Sequence, residues 1–350
     1  MTMLWDETDD YIEGTTSKFK FLDKIASFDL DSTLITTKSK KKFATTSEDW
    51  MFMFNNVVYK LRELIDNKYC IVIITNQAGL KKPEDVTSWI RKIEDIVKVS
   101  SLELKVLCSH RKNEFRKPLV KFYDIFFPKT MDKTNSFYCG DAIGRPDDFS
   151  DTDYKFALNC KLNFKSPENV FMNDNNILPE IKYINFSKPN NKKFIPENKE
   201  MIIMVGFPAS GKSSFARKIN SNYTNYIIIN QDTLKTLAKC KKYTNECLEA
   251  NKSVIIDSTN PTIFGRNDWI EIAKKFNYIV KIFKMKTSLE HSKHNNVYRS
   301  LTSNTELIPD IVYNIYKSKF EEPKITEGVN EIVEVEPEYP DDKKYFMYLM

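Results

Sequence analysis

Histidine is scarce in this chain: three occur in 350 residues, at His110, His291 and His294. So few imidazoles argue against a Ser-His or Cys-His hydrolase. The six cysteines (Cys70, Cys108, Cys139, Cys160, Cys240, Cys247) form no CxxC pair, and no histidine stands at zinc-finger spacing. Reduced, buried thiols are therefore expected rather than disulfides or a zinc site. No stretch approaches the ~18–20 apolar residues that a membrane helix needs. Residues Met1 to Asp10 are acidic and lack the basic-then-apolar order of a signal peptide. These absences predict an intracellular protein with no membrane association. Eight glycines are few for the length, yet Gly206 and Gly211 fall in one loop and Gly140 and Gly144 in another. The net charge of +5 is mild and suits a polyanionic partner without requiring one.

What is present is a series of short apolar runs, each ending in polar residues: Ile25–Leu30, Cys70–Thr75, Phe137–Gly140, Met201–Val205, Tyr226–Ile229, Val254–Asp257 and Ile279–Phe283. Amphipathic stretches fall between several of them, at Trp50–Asn67, Val86–Val99, Ser213–Asn220 and Asn267–Phe276. Buried strands alternating with helices predict an α/β fold with mainly parallel sheets, in which sites gather at the carboxyl ends of the strands. A single core stops growing at about 250–300 residues, so two domains are expected. The polar, proline-punctuated run from Lys188-Pro189-Asn190-Asn191-Lys192-Lys193 to Pro196-Glu197-Asn198-Lys199 marks the boundary. The expected division is a domain over 1–188, a linker over 189–199 and a domain over 200–350. Glu331 to Asp342 holds six acids and no base, which reads as a solvated edge strand and tail.

In the first half, Ala26-Ser27-Phe28 leads to Asp29-Leu30-Asp31-Ser32-Thr33. In DxDxT after a buried strand, the first aspartate can attack phosphorus and the second can act as general acid and base. Three further elements follow in order. Ile71–Ile74 delivers the Thr75 hydroxyl, suited to a phosphoryl oxygen. Arg116-Lys117-Pro118 supplies a cation for the nucleophile and phosphate. Phe137–Gly140 ends at Asp141, a hard oxygen ligand suited to Mg²⁺ together with Asp29 and Asp31. The order of the four elements resembles the haloacid dehalogenase-type phosphatases.

In the second half, Met201–Val205 opens into Gly206-Phe207-Pro208-Ala209-Ser210-Gly211-Lys212-Ser213. GxxxxGK[ST] wraps phosphates with backbone N–H groups from Gly206 through Ser210 and Gly211. Lys212 reaches the β/γ oxygens of ATP and Ser213 binds Mg²⁺. Asp232, in Asn230-Gln231-Asp232-Thr233-Leu234, is a candidate base for an attacking hydroxyl. Asp257, in Asp257-Ser258-Thr259-Asn260-Pro261, supports either Mg²⁺ or the loop itself. Arg299, in His294-Asn295-Asn296-Val297-Tyr298-Arg299, is a candidate clamp on the transferring phosphoryl group.

The two halves together resemble the bifunctional polynucleotide kinase 3'-phosphatase family, from about Phe19 to Val335. The resemblance rests on Gly140-Asp141-Ala142-Ile143-Gly144-Arg145-Pro146 with Asp148-Phe149-Ser150 and Asp153, on Ile35-Thr36-Thr37 with Trp50, and on the kinase motifs just quoted. Two positions depart from it: Gln231 stands where the family usually has arginine, and Ser32 where glycine is commoner. The chain begins almost at the phosphatase domain, so the forkhead-associated module of the animal enzymes is not expected.

The resemblance implies a haloacid dehalogenase-like Rossmannoid phosphatase followed by a P-loop kinase, and a role in DNA repair. The first would remove 3'-phosphates through an aspartyl-phosphate and the second would phosphorylate 5'-hydroxyl ends with ATP. The implied partners are nucleic acid ends, DNA before RNA, with a monomer as the default. Exposed lysines Lys38, Lys40, Lys41 and Lys42 suit a DNA backbone or a solvated loop equally. The residues leave two rivals open: a phosphatase fused to a small-molecule kinase, and an end-binding protein whose kinase site Gln231 impairs.

Overall fold

The computed structural model describes residues 2–349 apart from 43, 45, 175–177, 182, 183, 185, 187, 188, 192, 193 and 304. Lys188, Lys192 and Lys193 of the expected boundary therefore lie outside the described residues. The chain divides into two compact units, one built chiefly from Met1–Tyr183 and the other chiefly from Ile184–Arg299 with Thr305–Tyr345.

The first unit carries strands β1 (Met3–Glu7), β2 (Ile12–Thr16), β3 (Lys24–Phe28), β4 (Ile35–Thr36), β5 (Met51–Phe52), β6 (Tyr69–Asn76), β7 (Leu104–Ser109), β8 (Phe137–Cys139) and β9 (Asn163–Lys165). Its main sheet runs β1-β2-β7-β6-β3-β8-β9, with β4 and β5 paired separately. From β7 to β9 all pairings are parallel, while the hairpin of β1 and β2 joins β7 antiparallel. Alternate residues of one strand face opposite sides. Ala26 and Phe28 pack with Ile71, Ile73 and Val106 on one face, and Ile25 packs with Val72, Ile74 and Leu107 on the other. Both faces are covered, which explains why these strands read as continuous apolar runs.

The second unit has β10 (Glu200–Val205), β11 (Tyr226–Ile229), β12 (Ser253–Ile256), β13 (Ile279–Met285) and β14 (Glu331–Val335), in the parallel order β11-β12-β10-β13-β14. Met201, Ile203 and Val205 serve one core and Ile202 and Met204 the other. The acidic stretch supplies the edge strand β14 before its tail.

One expectation needs correction. Trp50–Asn67 is not one amphipathic helix: it begins as β5, and the helix is confined to Val57–Asp66. Trp50 is buried, with its ring edge-on to Phe52 and its indole N–H donating to Asp95. Strands β1, β2, β7 and β9 give no clear apolar run ending in catalytic residues, and β7 is interrupted by Lys105, which is buried on Glu13. All six cysteines are buried and unpaired with one another.

Candidate active sites

β3 is an interior strand of its sheet, so the turn after it opens at the carboxyl edge between β6 and β8. Asp29 enters that turn with its N–H donated to the Cys139 carbonyl at 2.8 Å. Its carboxylate is buried and accepts from Lys117 Nζ at 2.6 Å. The same ammonium donates to Asp153 Oδ1 at 2.7 Å and to the Tyr138 hydroxyl at 2.7 Å. Lys117 is itself fixed through its backbone: Asn76, at the end of β6, accepts from its N–H and donates to its carbonyl.

Electrostatics follow from this burial. Desolvation pushes Asp29 well above the usual carboxylate range, while Lys117 pulls it down and Asp153 and Asp141 push it up. Burial alone would lower Lys117, but the carboxylates of Asp153 and Asp29 overcome it and hold the lysine above its ordinary value. Asp141 is pushed up to about 6, first by burial and then by Asp153.

Oxygens of Asp29, Asp141 and Asp153 all lie within 4.8 Å of one another. Three hard carboxylates so close fit a cation such as Mg²⁺. Asp153 is engaged by Lys117, Tyr138 and the Ala142 N–H, whereas half-buried Asp141 accepts from the Thr33 hydroxyl at 3.1 Å. Gly140 is required here, because a Cβ on it would sit 2.4 Å from Asp153 Cγ. Asp148 shapes the following loop by accepting the N–H groups of Ile143, Gly144 and Arg145.

Asp31 stands outside the carboxylate group. Its side chain is half-exposed and accepts from Gln77 Nε2 at 2.6 Å, with Lys92 Nζ 3.7 Å away. Gln77 Nε2 also donates to Thr75 Oγ1 at 2.9 Å, so one amide links two of the expected site residues. Ser32, the departure from glycine, takes φ 60°, in the left-handed region.

Sequence reasoning gave no role to Tyr138, Asn76, Gln77 or Lys92, and named Asp153 only within a resemblance. Lys92 carried a usable signal. It falls on the buried stripe Trp89, Lys92, Ile93, Ile96 of the helix Pro83–Ser100, where a lone cation needs a partner.

In the second unit the phosphate loop links central β10 to the helix Lys212–Asn222. A Cβ on Gly206 would come within 2.9 Å of Met285 and Ser210, so the loop passes that point as bare backbone. Lys212 is buried, donating to the carbonyls of Gly206 at 3.0 Å and Phe207 at 2.6 Å. Burial lowers it to about 8, with Asp257 pulling up and Arg299 pushing down. Those two charges therefore share its neighbourhood. Ser210 is buried, and Ser213 is exposed on the first turn of the helix. The loop is tied from two sides: Asn260 donates to the Met204 carbonyl at 2.8 Å, and Thr287 to that of Ser210 at 2.8 Å.

Asp232 is exposed in the short helix Gln231–Leu234 that follows β11, and Gln231 beside it is exposed too. β11 is two positions from β10 in the same parallel sheet, so the segments after both strands leave from its carboxyl edge. Arg299 lies half-buried in the last turn of the helix Leu289–Thr302.

Comparison with known proteins gives the same two-part division. The polynucleotide kinase 3 phosphatase family pattern matches residues 24–171, and an AAA domain pattern matches residues 201–323. The chain is 35% identical to the bifunctional polynucleotide phosphatase/kinase of Schizosaccharomyces pombe, covering 95% of this chain and 84% of that protein. A relative from Acanthamoeba polyphaga mimivirus is 36% identical over 94% of this chain and 89% of its own. The polynucleotide 3'-phosphatase of Saccharomyces cerevisiae is 28% identical, covering 42% of this chain and 87% of that protein. With a buried Asp29–Lys117–Asp153 network in one unit, a phosphate loop in the other and likeness over nearly its whole length, the chain belongs to the bifunctional polynucleotide phosphatase/kinase family.

Proposed function

We propose that this protein heals nucleic acid ends: its first unit removes a 3'-phosphate and its second transfers the γ-phosphate of ATP to a 5'-hydroxyl. The product, a 3'-hydroxyl beside a 5'-phosphate, is what a ligase joins. The observation that carries this reading is the pair of opposed phosphoryl sites in one chain, Asp29 on Lys117 and the loop around Lys212.

In the phosphatase reaction Asp29 attacks phosphorus through the carboxylate oxygen that Lys117 does not hold, forming an aspartyl-phosphate. Asp31 gives its proton to the departing 3'-oxygen and then takes one from the water that hydrolyses the acyl phosphate. Its exposure suits that exchange, and Gln77 aims it. Thr75 offers its hydroxyl to a phosphoryl oxygen. Lys117 pulls Asp29 back toward the ionised form that its burial opposes. Asp29 and Asp141 would hold Mg²⁺, which supplies positive charge to the phosphoryl oxygens when bound.

In the kinase reaction the loop N–H groups and Lys212 take the phosphates of ATP, and Ser213 would hold Mg²⁺. Asp232 removes the proton from the 5'-hydroxyl, and Arg299 offsets charge on the transferring group. Most of the rate comes from positioning and charge neutralisation.

Lys40, Lys41 and Lys42, exposed in the loop after β4, suit a nucleic acid backbone, and we read the substrate as DNA before RNA. Among the described residues no helix is long and apolar enough to cross a membrane. We read the protein as an intracellular monomer.

The test is a nicked DNA bearing a 3'-phosphate and a 5'-hydroxyl, incubated with Mg²⁺ and ATP beside Asp29→Asn and Lys212→Ala variants. Conversion of both ends, with each variant losing only its own reaction, is the expected result. Loss of the 5' reaction alone in the unaltered chain would point to Gln231. No reaction at either end would overturn the proposal.

A further inference from the structure

Near the C-terminal end, Tyr345 is buried against two histidines of the helix Leu289–Thr302. His294 Nε2 meets the Tyr345 carbonyl at 2.7 Å, and His291 Nε2 meets the Tyr345 hydroxyl at 2.6 Å. That hydroxyl donates to Asn295 Oδ1, and Asn295 Nδ2 donates to the Ala209 carbonyl of the phosphate loop at 2.9 Å. The donors can be ordered without ambiguity. A carbonyl only accepts, so His294 carries its proton on Nε2. The Tyr345 hydroxyl has one hydrogen, committed to Asn295, so His291 Nε2 must be the donor to it. Burial, with His294 nearby, lowers His291 to about 4, so near neutrality its single N–H is available for that role. The chain of donors then runs His291, Tyr345, Asn295, Ala209.

Its far end falls on a demanding residue. Ala209 has φ 56°, left-handed backbone that an L residue with a Cβ adopts at a cost of about 1–2 kcal/mol. A peptide held there needs support, and Asn295 supplies it. The loop depends on that conformation, because it turns successive N–H groups inward toward the nucleotide phosphates.

We propose that Tyr345 is a positioning residue for the ATP site, acting through Asn295 to hold the Ala209 peptide in its left-handed conformation. The inference rests on reading this unit as an ATP-dependent kinase, and it adds to the site a C-terminal residue outside every motif of the sequence.

The test measures the Kd of a non-hydrolysable ATP analogue by calorimetry and the KM for ATP in the kinase reaction. It uses the full chain, Tyr345→Phe, Asn295→Ala and the double variant. Losing one hydrogen bond in the relay should raise Kd and KM by about fivefold in Tyr345→Phe. The kcat should stay within about twofold, since this interaction is made equally before and during transfer. In the Asn295→Ala background Tyr345→Phe should add nothing, because its path to Ala209 is already cut. The 3'-phosphatase rate of each variant reports that the chain has folded. Asn295→Asp, nearly equal in volume but without the donor to Ala209, should reproduce the loss if Asn295→Ala folds poorly. Unchanged ATP affinity in Tyr345→Phe, or an effect that persists in full beside Asn295→Ala, would overturn the proposal. An unaltered chain that binds no ATP analogue would instead overturn the kinase reading itself.

Discussion

The two sites each place a buried lysine where phosphate is to be handled, yet the two lysines are held by opposite means. Lys117 is locked between Asp29 and Asp153, with Tyr138 completing its three donors, and its charge is balanced within the fold. Lys212 donates to the carbonyls of its own loop, and burial lowers it to about 8. The first lysine is part of the architecture. The second is a charge held ready for a ligand that will supply its counterion. A residue's burial therefore says little about its structural worth until its partners are named.

The same substitution in both sites sharpens this contrast, and the largest effects belong here. Lys117→Met leaves two buried carboxylates facing each other without their cation, which should cost about 3–5 kcal/mol of stability. The phosphatase rate should fall by at least about a thousandfold, as Asp29 takes up a proton. Lys212→Met removes a charge that burial already disfavours, so stability should change by less than about 1 kcal/mol while the kinase reaction disappears. Thermal unfolding beside the two end-conversion assays measures all four quantities. A Lys117→Met protein as stable as its parent would break the comparison.

The pH responses separate the sites next. Asp141 sits at about 6, so phosphatase activity should fall about tenfold per pH unit below that value as the carboxyl protonates and ceases to be a ligand. For stability the sign is reversed. A carboxyl raised in the folded chain stabilises it at low pH, and that contribution is lost as pH rises through about 6. Mg²⁺ should then raise the unfolding temperature at pH 7.5 and leave it unchanged at pH near 5. The kinase has the opposite profile. Above about 8 Lys212 loses its proton before ATP arrives, and KM for ATP should climb with pH while the phosphatase rate holds. Initial rates from pH 5 to 9.5 decide it.

How much of this was legible in the sequence depended on whether a residue's role is local or assembled. DxDxT and GxxxxGKS are contiguous because one turn after one strand does the work, and Asp29 and Lys212 could be read from their neighbours alone. β3, β6, β8 and β10 to β13 were legible because both faces of a parallel sheet are covered. Tyr138, Asn76 and Asp153 were harder, since each acquires its role only when separate strands and a helix bring it to Lys117. Strand β7 hid behind Lys105, whose charge is matched by Glu13 from a strand far away in sequence. Relays such as Tyr345 to Ala209 leave no periodic mark at all.

One trait is shared by the two sites, and it yields the smallest effect. Each holds a residue with a Cβ in left-handed backbone: Ser32 at φ 60° in the turn that follows Asp29, and Ala209 at φ 56° in the phosphate loop. Glycine takes such a conformation without steric cost, but it also adds freedom to the unfolded chain, which offsets part of the gain. Ser32→Gly should therefore stabilise the chain by about 0.5–1 kcal/mol, read as a higher denaturant midpoint with unchanged slope. Its phosphatase rate should stay within about twofold, because Asp29 and Asp31 are fixed by Lys117 and Gln77 and not by the Ser32 side chain. Ala209→Gly should gain no more than Ser32→Gly in stability, yet should weaken ATP binding, because a freer peptide no longer presents its N–H groups in a fixed direction. Equal indifference of both activities to these substitutions would mean that the two loops are set by their surroundings alone, and the contrast between the sites would then reduce to their lysines.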